Sequence, residues 1–482
     1  MKWRWSGPRR PEHSMTSPSP PSPDHARVPC CGGSLWPPGL LREQACPARE
    51  GVMGQESNGV VNRVVRIPRR ARESGRAETM HDNEQEGITR RGLLAAGIAS
   101  TVGAHGPSVR GQGGARRKIK LGVVGCGGRG AWIARLFHED GGYAIHAVAD
   151  YFPQVAEACG RQFGIDRCFS GLSGYRRVIE SGVEAISLET PPFFFPEHAA
   201  AAVDAGLHVY MAKPVAVDVP GCRAIEAAAK KAGEKGRCFL VDYQMPTEPH
   251  NQEVVRQVRE GAIGKPVLLC SHYLAGPFSD PPLGRTIEDR LRNLVWVNDV
   301  AIGGGYHVNA CIHALDAALW LAQGVPVAAS GVSAAGRKDP HGDSHDVFAL
   351  AFEFENGLVL QHRGKHLGDG YSGDGFCGCA VHGQDGHAQI TYNGRAQLVS
   401  GRTAFREEVA NLYEAGARRN IALFHRQVME GDHTNPTVRR AVDSCLATIL
   451  GREAGRRKAR ITMAQLLREN RRVEADLRGL RT

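Results

Sequence analysis

The chain has 482 residues, 42% of them hydrophobic, enough for two or three domains around a sizeable buried core. Its formal charge of +10 is unevenly spread: residues 1–117 hold 18 of the 60 Lys/Arg and 10 of the 50 Asp/Glu, leaving 42 against 40 for the rest. A nearly neutral body argues against a nucleic-acid partner, which needs a basic face on a folded domain, and none of the 13 cysteines forms a CxxC pair, so neither a zinc ribbon nor a thioredoxin-type centre is indicated.

Residues 1–79 read as a non-domain head: Pro18 to Pro23 is Pro/Ser-rich, Arg66 to Arg76 is Arg-rich, and apolar periodicity is missing. A disordered tail and an upstream-shifted start both fit, the second preferred, with Met80 as the start. Residues 80–116 read as an export signal and linker. Arg90 and Arg91 precede Leu93-Leu94 and a weakly apolar run from Ala95 to Val102, the pattern of a twin-arginine signal. Counted from Gly92 the apolar segment is about 12 residues, too short to span a bilayer, so no stable membrane anchor is expected and the location is periplasmic or extracytoplasmic; without the signal it is cytoplasmic.

Residues 117–240 read as a dinucleotide-binding domain. Lys118 to Val124 is a short β-branched run that leads into Gly125-Cys126-Gly127-Gly128-Arg129-Gly130 and then a helical pattern through Ile133 and Leu136. In this G-x-G-x-x-G the first glycine permits the turn and the second admits a pyrophosphate. The third lets the helix pack on the strand, with the helix N-terminus facing the phosphates. A second strand, Ala144 to Ala149, ends at Asp150, placed to bond ribose hydroxyls; Tyr151 and Phe152 follow instead of a basic residue, which favours NAD over NADP. A strand over 184–188 leads to Thr190-Pro191, and Gly206 to Tyr210 leads to Lys213-Pro214, both at the carboxyl edge where ligands bind. A lysine beside a nicotinamide is suited to hydrogen-bond a substrate hydroxyl; an ordinary surface lysine fits the position equally well.

Residues 241–475 read as a second α/β domain. Tyr306, His307 and Asn309 precede an apolar helix that carries His313 and Asp316, three apart and so on one face. Gln244 and Asn251 begin this domain with side-chain amides suited to a sugar or nicotinamide. His341, Asp343, His345 and Asp346 have the look of a metal cluster but sit in a loop before the strand 347–354, and no metal is expected. Lys365 and His366 follow a further strand, 358–363.

Taken together, these residues resemble the Gfo/Idh/MocA oxidoreductases. The match is carried by Gly125 to Gly130, Asp150, Thr190-Pro191, Ala205 to Val209, Lys213 to Asp218, Gly304-Gly305, His313 and Asp316, and runs from about Lys118 to Asn470, with Ala447 to Glu453 similar to the family's last helix. The resemblance implies a Rossmann domain followed by an α/β domain with a large, mostly antiparallel open sheet, a nicotinamide cofactor in the cleft between them, and a homodimer or tetramer paired through that sheet. It implies Lys213 orienting the substrate hydroxyl, His313 as the acid/base with its ring oriented by Asp316 or a backbone group, and a carbohydrate or cyclitol substrate. Many relatives carry a twin-arginine signal. A smaller branch cleaves glycosides while recycling bound NAD. The chain departs from the family's pattern at Ala212, where glutamate is usual, at Asn309, where an acid is usual, at Phe193-Phe194-Phe195, and at Gln244-Met245-Pro246. Three functions stay open: a dehydrogenase, an NAD-recycling glycosidase, and a non-catalytic NAD-binding homologue.

Overall fold

A computed structural model describes residues 117–482, apart from 283–285, 287, 374 and 402; the head and the twin-arginine segment lie outside the described residues. The first part alternates strand and helix: β1 (Ile119–Val124), α1 (Gly128–Asp140), β2 (Tyr143–Asp150), α2 (Pro153–Phe163), β3 (Cys168–Ser170), α3 (Gly174–Glu180), β4 (Ala185–Leu188), α4 (Phe195–Asp204), β5 (His208–Ala212), α5 (Val219–Glu234) and β6 (Phe239–Asp242). All six strands are parallel in the order β3-β2-β1-β4-β5-β6. Strands β4, β5 and β6 are buried along their whole length, which explains why they appear in the sequence as continuous apolar runs without alternation. The strand order reverses between β1 and β4, and that switch point opens the crevice in which such sheets bind ligands.

The second part begins with α6 (Pro249–Arg259) and β7 (Pro266–Ala275), then α7 (Val300–Gly303), α8 (Gly305–Asn309) and α9 (Ile312–Ala322). Strands β8 (Ala328–Ala334), β9 (Val347–Glu353), β10 (Val359–His366), β11 (Cys377–Gly383), β12 (Gly386–Thr391), β13 (Gly394–Ser400) and β14 (Ala404–Val409) follow. The chain closes with α10 (Leu412–Glu430), α11 (Pro436–Arg457), β15 (Ile461–Thr462) and α12 (Met463–Glu469). Nine strands form one sheet, antiparallel except where β7 meets β10. Along β10 the period is two: Leu360, His362 and Gly364 face inward, while Val359, Gln361 and Arg363 face out. Residues 447–453 lie inside α11, with β15 and α12 after it, so the stretch expected to be the last helix is not the end of the fold.

Helix α9 is buried over Ile312–Leu319, which is why its sequence is apolar on every side. It packs on β7 and β11 while α11 packs on β8 and α5, so one continuous core runs from Met211 and Val241 in the first sheet, through Leu315 on α9 and Cys445 on α11, to Leu360 in the second. Helix α10 returns to cover the outer face of the first sheet. There Phe424 packs with Tyr143 and Tyr210, and the Tyr143 hydroxyl donates to Ile421 O (2.9 Å).

Candidate active site

Each glycine of the loop after β1 has a distinct steric role. Gly125 has φ +91°, and a Cβ there would lie 2.6 Å from the Glu189 backbone. Gly127 and Gly128 face open space, so the backbone at the start of α1 is accessible. A Cβ on Gly130 would lie 1.7 Å from Gly125 O, so only glycine lets α1 sit this close to the turn. Helix α1 has no side-chain cap, and its first N–H groups are left for an anion. Asp150, at the end of β2, accepts from Cys126 N (2.8 Å) and Phe152 N (3.0 Å), which fixes its carboxylate at the rim; burial raises its pKa against those hydrogen bonds. The Cys126 side chain points inward, its Sγ donating to Ala149 O (3.4 Å), so this residue contributes backbone only. These features suit a dinucleotide: an accessible helix N-terminus for the pyrophosphate and a fixed carboxylate for the ribose.

A cleft of about 490 Å³ runs from this loop to the second sheet. Asp150, Thr190, Pro191, Lys213, Gln244, Asn309 and His313 all line it; Pro214, joined to Lys213 by a cis peptide, does not. Lys213 leaves β5 and donates from Nζ to Asn309 O (2.8 Å). Burial, aided by the Arg129 charge, lowers its pKa to about 7. His313 comes from α9 on the opposite wall, among the rings of Tyr243, Tyr273 and Tyr392. Its Nδ1 has no partner among the described residues, and burial with the Lys213 and Arg129 charges holds its pKa well below the usual value.

Beneath Lys213 lies a charged network that takes up Arg129 and Gln244, expected to contact cofactor and substrate, and adds Glu189, Asp242, Asn420 and Tyr413, which sequence reasoning missed. Arg129 bonds Glu189 Oε2 through Nε (2.9 Å), pairs with Asp242, and donates to Tyr413 Oη (3.0 Å). Asp242 also accepts from Gln244 Nε2 (2.8 Å) and Asn420 Nδ2 (2.7 Å), while Tyr392 donates to Gln244 Oε1 (3.0 Å). Both carboxylates are fully buried, and burial raises Glu189 to about 7 despite Arg129. Glu189 directly precedes Thr190 and Asp242 ends β6, so the carboxyl edge of the sheet was the available signal. Nothing local marks Tyr413, which arrives on α10. The buried Ala212 position thus leaves no acid beside Lys213 in sequence, but the fold supplies two from neighbouring strands.

Other expected site residues lie elsewhere. Asp316 does not meet His313; it forms a two-pronged pair with Arg440 (2.6 Å each) and accepts from Ser444 Oγ (2.9 Å), because its side of α9 faces α11. The Tyr306 hydroxyl donates to Lys365 O (2.8 Å) and Tyr273 O (3.1 Å), and its ring stacks on His366, away from the cleft. His307 is fully buried below the sheet and does not line the cleft. In the 341–346 loop, His341 bonds Pro281 O and Asp339, and His345 bonds Ser333, so these histidines act as loop ties. Lys365 turns to Asp369 and Tyr371 O. Phe194, Phe195, Phe278, Leu294 and Trp296 give the cleft an apolar wall.

Comparison with known proteins fits this architecture. Residues 119–241 match the family model described as oxidoreductase family, NAD-binding Rossmann fold, and residues 251–389 match the GFO/IDH/MocA C-terminal domain. The chain is 29% identical over 208 residues to the inositol 2-dehydrogenase of Burkholderia cenocepacia (strain HI2424), covering 42% of this chain and 54% of that one. It is 25% identical over 242 residues to the 2,7-anhydro-N-acetylneuraminate hydratase of Mediterraneibacter gnavus, covering 50% and 59%. The chain spans little more than half the length of these curated relatives. Among solved structures, the fold is shared with levoglucosan dehydrogenase in complex with NADH and levoglucosan (TM-score 0.60, 19% identity, 72% of this chain and 100% of that one). It is shared too with aldose-aldose oxidoreductase from Caulobacter crescentus (TM-score 0.58, 22% identity, 72% and 100%).

Proposed function

We propose, from the premise that this chain belongs to the Gfo/Idh/MocA oxidoreductase family, that it is an NAD-dependent enzyme oxidising or reducing a hydroxyl of a sugar, polyol or related carbohydrate. The observation that carries this is the meeting of Lys213 and His313 across a cleft that begins at the glycine loop. NAD bound there supplies the hydride acceptor. Asp150 bonds its ribose, and the N-terminus of α1 faces its phosphates. A carbohydrate hydroxyl placed between Lys213 and His313 gives its proton to Lys213 Nζ as the C–H hydride leaves.

The family resemblance assigns that proton to His313 instead. Burial, with the Arg129 guanidinium adding to it even when Lys213 is the neutral amine, makes its imidazole a weak base, whereas the Lys213 amine, at about 7, is matched to proton transfer near neutral pH. His313 is then the neutral hydrogen-bond partner that holds the hydroxyl in line. Asn309, whose carbonyl accepts from Lys213, fixes the lysine, and the apolar wall excludes water from the reacting atoms.

The likeness to a hydratase supports a second reading, in which the hydride returns to the sugar after elimination and no NADH accumulates. The deciding experiment purifies the full chain without added nucleotide, identifies any released cofactor by mass, and screens sugars, polyols and glycosides with and without NAD. NADH formed in step with substrate supports the dehydrogenase. Cleavage or hydration without net NADH supports the recycling reading, and bound nucleotide without any turnover overturns both.

Arg90 and Arg91 with the apolar run behind them support export of the folded, nucleotide-loaded protein by the twin-arginine route. No helix among the described residues is long and apolar enough to cross a membrane. Val332 and Val359, exposed on the outward face of the second sheet, support homo-oligomer pairing through that face.

A further inference from the structure

Below the second sheet's inner face, outside the cleft, three metal-ligating side chains meet. His307 on α8 and Cys311, four residues later at the start of α9, share one side of the helical turn. His362 meets them from the inner face of β10. All three are fully buried, and their ligand atoms lie within 4.8 Å of one another. Both ring nitrogens of His307 and Nε2 of His362 have no partner among the described residues, an unusual state for buried polar atoms.

The surroundings are shaped to hold these groups. Ser271 Oγ lies 2.8 Å from His362 Nδ1; as acceptor from Nδ1–H it leaves the Nε2 lone pair free, the arrangement that orients a metal-binding histidine. Phe348 stacks on His307 at 4.6 Å. A Cβ at Gly451 would lie 2.6 Å from His307 Nε2, and one at Gly364 would lie 2.9 Å from Cys311 Sγ, so two glycines clear the space these ligands occupy.

We propose that His307, Cys311 and His362 bind one thiophilic d10 cation, Cu(I) in preference to Zn(II). Bond lengths of roughly 2.1 Å to nitrogen and 2.3 Å to sulfur bring such ligands within about 4 Å of one another, a closure of about 1 Å at most from the present spacing. As the sulfur–metal bond forms, the Cys311 proton leaves to solvent, giving two neutral imidazoles and one thiolate. With Cu(I) the site is electrically neutral; with Zn(II) it carries +1 in an apolar interior beside Arg452. Three ligands also satisfy Cu(I), whereas zinc takes four. The bound cation ties the segment that presents Asn309 and His313 to β10.

The test uses the full chain, stripped of metal and titrated anaerobically with Cu(I) against a colorimetric Cu(I) chelator, and separately with Zn(II). One tight equivalent of Cu(I) is expected, with X-ray absorption showing two nitrogen ligands and one sulfur. Cys311→Ser and His362→Gln each weaken binding at least about a hundredfold, and Ser271→Ala weakens it roughly ten- to a hundredfold. Replacing Cys30, Cys31 and Cys46 by serine leaves it unchanged. No uptake by the wild-type chain overturns the proposal, as does uptake with all-sulfur coordination or uptake retained in both Cys311→Ser and His362→Gln. Tighter binding of Zn(II) than Cu(I) overturns the preference for copper.

Discussion

Replacing Lys213 with methionine separates catalysis from stability. Burial moves the amine from 10.5 to about 7 in the folded chain, so below pH 7 the fold confines an ammonium it disfavours. At about 1.4 kcal/mol per pKa unit the ceiling on this destabilisation is about 5 kcal/mol. The half-buried side chain stays partly hydrated, which reduces it to roughly 2–3 kcal/mol. Methionine leaves Asn309 O without its donor, a loss of about 1 kcal/mol. The variant is therefore expected to be about 1–2 kcal/mol more stable than wild type at pH 6, seen as a rise of a few degrees in Tm. The sign with pH follows from linkage: between about 7 and 10.5 the unfolded lysine holds a proton that the folded one has released, so the wild type gains stability as pH rises. By pH 10 the variant's advantage is gone. Thermal denaturation of nucleotide-free protein at pH 6 and pH 10 reads this directly, while turnover falls by about 10³-fold and NAD affinity stays within a few-fold. An identical Tm shift at both pH values would refute the buried-ammonium argument, and NAD affinity lost in proportion to turnover would refute the assigned role.

Asp150→Ala is expected to weaken NAD about 10- to 100-fold in a fluorescence titration, since the carboxylate is held at the rim by Cys126 N and Phe152 N; unchanged affinity would show that the ribose lies elsewhere. Gly130→Ala brings a methyl to within 1.7 Å of Gly125 O and is expected to cost about 3 kcal/mol or more in urea denaturation, with NAD binding lost in parallel. A stable, nucleotide-binding Gly130→Ala protein would mean the helix–strand contact is looser than described. Arg440→Met strands the fully buried Asp316 and is expected to destabilise the protein by about 3–5 kcal/mol, while Asp316→Asn with Arg440→Met recovers part of it. A loss of turnover without loss of stability in Arg440→Met would return Asp316 to the active site.

Much of this protein is legible in the local chemistry of its sequence. The glycine spacing, the acid ending β2 and the lysine after β5 each belong to one strand–turn–helix unit, and backbone geometry within a unit is set by neighbours in sequence. The same holds for the alternation along β10 and the apolar run of α9, which announce a half-buried strand and a buried helix. What the sequence leaves open involves partners hundreds of residues apart. Asp316 and His313 share a helix face by spacing, yet α11 delivers Arg440 to Asp316, and an ion pair outweighs a weak imidazole contact in a buried setting. Likewise Arg292 comes from a distant loop to lie 4.0 Å over the Phe152 ring, a neighbour that nothing near Asp150 in sequence announces. Lys213 and His313 gain their proton affinities only from depth in the cleft and from Arg129, because desolvation depends on everything packed around a group. His307 has the sequence position of a substrate contact because it precedes Asn309, but a helical turn points neighbouring residues in different directions. One faces the cleft, and the other faces Cys311 and His362 beneath the sheet.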